Sequence, residues 1–144
     1  MKKLLLIPIL FFTIISQISC NNDDDSSTQN ENFETLILGK WILTGITDNG
    51  VEETLNVCDL MDSYEFNADN TAIYIEHGGN TAETCEPFED SETWSINGSI
   101  LTSQFDNSTE NATILELTST VLRLEYTEGN SGNDPDVLIF SYEK

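Results

Sequence analysis

Few side chains in this sequence are suited to acid–base or nucleophilic catalysis. Its one histidine, His77, precedes Gly78 and Gly79 in a polar stretch, where no partner that would position it for a hydrolytic triad can be identified. The 26 Asp and Glu residues are so numerous that paired carboxylates, as in glycoside hydrolysis, would arise by accident. A charged, solvated surface explains them better, and we expect no enzymatic activity.

Metal ligation is the second kind of chemistry to consider. Cys58, Cys85 and His77 lack the Cys-x-x-Cys spacing of zinc sites and make a poor ligand set. The segment 128–136 is rich in oxygen ligands and glycine, but it does not have the alternating ligands of an EF-hand loop. We therefore expect no metal and no cofactor, with calcium at 128–136 as the one alternative.

The charge balance excludes one class of partner. Five Lys and Arg residues oppose 26 Asp and Glu residues, which gives a formal net charge of −21 at pH 7. A chain this negative repels phosphate backbones, so nucleic-acid binding is excluded. It also repels anionic lipid headgroups, so a hold on a membrane would have to come from acyl chains, at about 0.8 kcal/mol per buried methylene.

The first 19 residues have the composition of a secretory signal peptide. Lys2 and Lys3 provide a positive start, and the apolar run 4–15 has the length of a signal-peptide core. A membrane-spanning helix needs about 20 apolar residues, and Pro8 would weaken one here. We interpret residues 1–19 as a signal peptide that is removed, in preference to an uncleaved anchor helix.

A cysteine follows this segment directly, in the sequence Gln17-Ile18-Ser19-Cys20. The arrangement resembles the lipobox of bacterial lipoproteins, although Gln17 stands where leucine is usual. The resemblance implies that Cys20 is the lipid attachment site and becomes the mature N-terminus.

Residues 20–32 are polar and acidic, a composition that stays disordered and serves as a tether. An acidic run close behind a lipidated cysteine also resembles the surface-export signal of lipoproteins in one large group of Gram-negative bacteria. We predict a protein that is lipid-anchored in the outer membrane and exposed on the cell surface. A solvated spacer on the periplasmic side is the alternative.

Cys58 and Cys85 remain as an even pair in a chain that leaves the cytoplasm. We predict a disulfide between them. The closed loop would hold about 28 residues, which the chain-entropy estimate values at about 3.5 kcal/mol.

Residues 33–144 are predicted to form one all-β domain. A short helical turn is expected within 32–38, and Gly39 should end it. Further on, alternating apolar and polar residues separated by turn signals indicate strands. The predicted strands are 41–46, 51–57 (a short strand or an extended loop), 63–66, 71–76, 92–96, 99–105, 113–117, 120–127 and 136–143, with a long polar loop at 77–90.

Three hairpins define an inward face. A four-residue loop would place Phe66 opposite Thr71, and the Asn97-Gly98 turn would place Trp94 opposite Leu101. The apolar residues that share one face in these registers are Tyr64, Phe66, Ile73 and Ile75 in the first hairpin, Trp94 and Leu101 in the second, and Leu115, Leu117, Leu122, Leu124 and Tyr126 in the third.

Strands at this even spacing favour an up-and-down meander of about eight antiparallel strands. Closure into a small barrel would remove the exposed edges. A barrel of about eight strands is filled by side chains or holds one small ligand. An open two-sheet sandwich is the alternative fold.

The motif Gly39-Lys40-Trp41, at the start of the first strand and after a helical turn, resembles the Gly-x-Trp signature of lipocalins. The stretch 38–144 as a whole is similar to the lipocalin-like domain of small Gram-negative bacterial lipoproteins. The Thr-Asp-Tyr-type motif of standard lipocalins is absent from the interior loop, and only Lys144 is placed to stack on the tryptophan. The runs that carry the resemblance are 64–69, 93–98, 101–102 and 114–118, with Cys58 and Cys85.

This resemblance implies a non-catalytic, monomeric binding module whose interior takes a small apolar ligand. A filled, purely structural barrel is the simpler alternative for so small a domain. With a filled barrel, the protein would be a protein-interaction or adhesion lipoprotein that uses the outer face of the barrel or the loop around Cys85. The candidate ligand-binding residues are Trp41, Tyr64, Phe66, Ile73, Ile75, Trp94, Leu101, Leu115, Leu122 and Leu124.

Overall fold

The computed structural model describes residues 33–129 and 135–144. The predicted signal peptide, Cys20 and the rest of the tether to residue 32, and positions 130–134 of the candidate calcium loop lie outside these residues. One helical turn covers 33–36, and a short 3-10 helix covers Asp59–Met61. The nine strands are β1 (Gly39–Asp48), β2 (Val51–Glu52), β3 (Ser63–Phe66), β4 (Thr71–Gly78), β5 (Glu86–Asn97), β6 (Ile100–Phe105), β7 (Ser108–Leu117), β8 (Val121–Glu128) and β9 (Asp136–Glu143).

The strands form a closed antiparallel barrel. The neighbours run in sequence order from β3 to β9, and β1 pairs with both β3 and β9. Closure uses eight strands, while the two-residue β2 is an extra strand beside β1. The predicted meander is therefore confirmed and the open sandwich is wrong. Of the predicted strand 51–57, only Val51–Glu52 is a strand.

The N-terminal helical turn ends where the sequence predicts. Gly39 has φ +108°, a backbone conformation that residues other than glycine rarely adopt. The chain thus leaves the helical turn and enters β1 within two residues, which brings the turn beneath the end of the barrel.

The register of the β3–β4 hairpin differs from the prediction by one residue. Phe66 lies opposite Ala72, because the Asn67 N–H donates to the Thr71 carbonyl and leaves a loop of three residues, 68–70, instead of four. Asn70 in this loop has φ +64°. A one-residue slip moves every side chain of a strand to the other face. Ile73 and Ile75 therefore lie on the outer face, half-buried, where they oppose Glu65 and Ser63.

The register of the β5–β6 hairpin differs from the prediction by two residues, and an even shift leaves each side chain on its predicted face. Ile96 lies opposite Leu101, and Trp94 lies opposite Ser103, so the turn residues are Gly98 and Ser99. Both Trp94 and Leu101 are buried, as predicted. β5 also begins earlier than expected, at Glu86, so the predicted long loop is shortened to residues 79–85.

A bulge in β7 moves Leu115 outward. The β7–β8 register shifts by one residue between Ile114, which lies opposite Leu124, and Glu116, which lies opposite Arg123. The extra residue at 115 breaks the alternation. Ile114 is consequently buried and Leu115 is 43% exposed, so the prediction that Leu115 faces the interior is wrong.

The hydrophobic core fills one half of the barrel. Its buried side chains come from the first residues of β1 and from every later strand of the closed barrel. The largest of its completely buried apolar side chains are Trp41, Phe66, Ile37, Leu101, Leu122 and Leu124. Within residues 33–129 and 135–144, no helix is long and apolar enough to cross a membrane.

Candidate functional site

Trp41 forms the floor of the barrel. Its side chain is completely buried, and its indole Nε1 donates a hydrogen bond to the carbonyl of Ile37 at 2.6 Å. Lys144 covers the ring from outside, with Nζ 4.2 Å from the ring centroid, and donates to the carbonyl of Leu36 at 2.9 Å. The predicted stacking of Lys144 on the tryptophan is confirmed, and it ties both ends of the domain to one side chain.

A cavity of about 500 Å³ occupies the other half of the barrel. It extends from the buried side chains of Tyr64 and Tyr142 to exposed residues of β7, so it reaches the surface. Its volume is within the usual range for small-molecule sites. The lining residues are Tyr64, Tyr74, Glu92, Thr109, Glu110, Asn111, Tyr126, Thr127, Leu138, Phe140 and Tyr142.

All four tyrosines of the chain lie in this lining. Strand alternation and register bring them together, because Tyr64 opposes Tyr74 across β3 and β4, and Tyr126 opposes Leu138 across β8 and β9. The rings of Tyr64 and Tyr74 also pack edge to face, with their centroids 5.7 Å apart. The cavity wall is thus largely aromatic.

The tyrosine hydroxyl groups differ in their partners. The Tyr64 hydroxyl and the Ser103 Oγ share a hydrogen bond of 2.7 Å. Tyr142 is only 3% exposed, yet its hydroxyl has no hydrogen-bond partner among residues 33–129 and 135–144. A buried hydroxyl without a partner costs free energy, so this group is available to a ligand.

Two carboxylates, Glu92 and Glu110, complete the polar part of the cavity. Burial raises the pKa of Glu92, while hydrogen bonds from Tyr64 and Ser103 lower it, and the nearby charge of Glu110 raises it further. The raised pKa means that ionised Glu92 opposes folding at neutral pH. This penalty disappears as the pH falls through the folded-state pKa towards the unfolded one.

The phenols stay neutral at physiological pH. Burial raises the pKa of Tyr74 to about 12, and it raises the pKa of Tyr142 and Tyr126 further. They therefore present O–H groups that donate and accept hydrogen bonds.

A smaller cavity of about 280 Å³ adjoins this one, shares Tyr74, Glu92 and Glu110, and adds Asp90.

The ten candidate ligand-binding residues separate into three groups. Tyr64 lines the cavity. Ile73, Ile75 and Leu115 are not in the interior, for the register reasons given above. The six that are packed in the filled half are Trp41, Phe66, Trp94, Leu101, Leu122 and Leu124.

Leu138, Phe140 and Tyr142 were not predicted because the sequence provided no register, and so no inward face, for β9. Tyr74 was not predicted because the register of its hairpin was wrong by one residue. Large apolar residues fill the floor, whereas inward positions nearer the mouth carry tyrosine and glutamate. A sequence signal did exist for Tyr126, which follows Leu122 and Leu124 at alternate positions of β8.

His77 has a structural position. It lies in β4, not in a loop, and its backbone N–H donates to the Asp62 carboxylate at 2.6 Å, with Nδ1 at 3.2 Å from the same oxygen. Burial raises the pKa of Asp62, and the hydrogen bonds from His77 lower it. Within the described part of the chain, no three His, Cys, Asp or Glu residues are grouped to hold a metal ion.

The predicted disulfide between Cys58 and Cys85 is present, with the two Cα atoms 5.3 Å apart. Cys58 is buried and directly precedes the 3-10 helix, while Cys85 directly precedes β5. The bond therefore attaches the segment between β2 and β3 to the start of β5.

A closed antiparallel barrel of eight strands with a filled floor and a cavity open towards one end is an architecture compatible with binding one small ligand. The family model described as "Lipocalin-like domain" matches residues 37–124. The chain belongs to this lipocalin-like family.

Solved structures with the same fold include bacterial and animal proteins. A lipocalin-like protein from Bacteroides uniformis is 17% identical, with a TM-score of 0.52 over 72% of this chain and 96% of its own. An uncharacterized protein from Bacteroides eggerthii is 12% identical, with a TM-score of 0.52 over 74% and 98%. Lobster apocrustacyanin A1 is 15% identical, with a TM-score of 0.53 over 83% and 68%. No curated protein matches the sequence.

Proposed function

We propose that this protein is a non-catalytic binding protein that holds a small ligand in the cavity lined by its four tyrosines. The observation that carries this proposal is the cavity of about 500 Å³, which reaches the surface and contains an unpartnered buried hydroxyl. Members of the lipocalin family are typically ligand-binding proteins without enzymatic activity. The filled floor gives the cavity a rigid base.

Native mass spectrometry tests this proposal on protein purified from an extract rich in lipids and metabolites. We expect a retained small molecule on the native protein and its loss from Leu138→Trp, because Leu138 lines the cavity and the indole would occupy it. Val137→Trp is the matched control, since Val137 is the preceding residue of β9 and points to the opposite face.

Absence of a bound molecule from the native protein, or equal retention by both variants, would contradict a ligand-binding cavity. The alternative function, a protein-interaction or adhesion lipoprotein, would then be favoured. The observation that favours this alternative is Phe88, which is 64% exposed and lies three residues after Cys85.

We further propose that the barrel is attached to the outer membrane through acyl chains on Cys20 and is displayed on the cell surface. The support is the signal-peptide pattern of residues 1–19, the cysteine after it and the acidic run that follows. With a net charge of −21, the chain itself has no electrostatic attraction to anionic lipids.

Metabolic labelling with a radioactive fatty acid tests the anchor. We expect the native chain to incorporate label and to fractionate with membranes, and Cys20→Ala to do neither. Cys58→Ala serves as the cysteine control and should keep the label. Label on Cys20→Ala, or none on the native chain, would contradict the anchor, and protease treatment of intact cells distinguishes surface from periplasmic exposure.

A further inference from the structure

We propose that the cavity is selective for a small organic cation, an amine or ammonium group carried on an apolar or aromatic body. This inference rests on the proposed ligand-binding function and names the ligand class. The cavity combines two carboxylates, four phenol rings and one unpartnered buried hydroxyl. The carboxylates and the ring faces favour a cation over a neutral or anionic molecule, and the hydroxyl supplies a hydrogen-bonding group for the ligand.

Among the residues that the structure describes, no cationic side chain forms an ion pair with either carboxylate. Glu92 is half-buried in the cavity wall, and Glu110 lies at the mouth. None of the described residues that line either cavity is Lys, Arg or His. A carboxylate in such a place is stabilised by an opposite charge within hydrogen-bond reach, which an ammonium ligand would supply.

The aromatic wall contributes in the same direction. Tyr64, Tyr74, Tyr126 and Tyr142 carry the negative ring faces that attract cations, and Phe140 lies against two of them, with ring centroids 5.5 Å from Tyr126 and 6.5 Å from Tyr142. These rings also provide apolar area for the body of the ligand. The arrangement suits a cation attached to a flat or aliphatic group.

The hydroxyl of Tyr142 is a separate observation that indicates a ligand. Tyr142 is more than nine-tenths buried and lines the cavity. Its hydroxyl has no hydrogen-bond partner within the part of the chain that the structure describes. The phenol is neutral, and its oxygen can accept a hydrogen bond from an ammonium N–H. The site therefore offers a neutral acceptor deep in the cavity and carboxylates nearer the mouth.

Anionic ligands are disfavoured by the same features. A fatty-acid carboxylate in this cavity would lie near Glu92 and Glu110, and like charges in a partly desolvated site repel strongly. The net charge of −21 raises the local concentration of cations and lowers that of anions before binding.

Calorimetric titration of the purified protein with three matched probes tests the inference. The probes are 2-phenylethylammonium, 2-phenylethanol and 3-phenylpropanoate, which share a phenyl ring and a short chain and differ in the charge of the end group. We expect the ammonium to bind at least about tenfold more tightly than the alcohol, and the carboxylate to bind most weakly. This comparison uses the unaltered protein, so it does not depend on any variant folding.

A charge-matched pair of variants then locates the effect. Glu92→Gln/Glu110→Gln should reduce the preference for the ammonium over the alcohol to less than about threefold. Glu65→Gln/Glu116→Gln removes the same charge from exposed outward positions of β3 and β7 and should leave the preference unchanged. Loss of the preference in the outward pair would overturn the assignment to Glu92 and Glu110.

The outcomes separate the two proposals. If the alcohol or the carboxylate binds as tightly as the ammonium, the cavity binds ligands but is not selective for cations, and this inference is overturned. If none of the probes binds and no molecule is retained in mass spectrometry, the ligand-binding function itself is contradicted.

Discussion

Replacing Trp41 with alanine is expected to lower the free energy of unfolding by about 3–5 kcal/mol. The indole is fully buried at the floor of the barrel, so its removal leaves a large cavity in the part of the molecule that is otherwise tightly filled. The substitution also removes the hydrogen bond to the Ile37 carbonyl and the ring on which Lys144 lies. Urea unfolding followed by far-ultraviolet circular dichroism measures the loss.

Two further variants divide this effect into its parts. Trp41→Phe keeps an aromatic ring but not the N–H donor, and should cost about 1–2 kcal/mol because the Ile37 carbonyl loses a buried partner. Lys144→Met keeps the length of the side chain without its charge, and should cost about 1 kcal/mol at this partly exposed position. A loss below about 1 kcal/mol for Trp41→Ala would show that the floor does not hold the barrel together.

Removal of the Cys58–Cys85 bond is expected to lower the free energy of unfolding by about 3 kcal/mol, or the melting temperature by about 10–20 °C. The two cysteines are 27 positions apart, so their bond restricts a long loop of the unfolded chain. In the folded state, the bond holds the segment before β3, where the Asp62 carbonyl accepts a hydrogen bond from Leu43. Thermal unfolding of Cys58→Ala/Cys85→Ala measures the change.

Reductant provides the internal control for the disulfide. It should shift the melting temperature of the native protein to that of the double variant and leave the double variant unchanged. The cavity is lined by residues of other segments, so the folded double variant should still bind the probes. An unchanged melting temperature of the native protein after complete reduction, verified by thiol titration, would contradict a stabilising role.

Sequence alternation predicted the strands well where one face is apolar and the other polar. β6, β8 and β9 begin and end within about two residues of their predicted limits, because turns with Gly, Asn, Asp and Ser separate them. The resemblance of Gly39-Lys40-Trp41 to the Gly-x-Trp signature also indicated that Lys144 stacks on the tryptophan. Both predictions depend on residues near one another in sequence or on a family pattern.

Register was harder to predict, and the two errors that moved side chains to the wrong face each depend on one backbone residue. Asn70 in a left-handed conformation shortened the β3–β4 loop, and a bulge at position 115 reversed the faces of β7. Asparagine tolerates that conformation, so Asp69-Asn70 carried a usable signal for the first case. In the second case Ile114 and Leu115 are both apolar, and hydrophobicity alone does not choose between them.

The amino-acid sequence by itself determined the all-β class, the single domain, the disulfide partners and the acidic surface. These follow from composition, local alternation and the pairing of two available thiols. Only the tertiary structure decided that four tyrosines and two glutamates share one cavity, because they come from six different strands. Barrel closure through β1 and β9 brings those strands around a common interior, and their registers set which side chains reach the same depth.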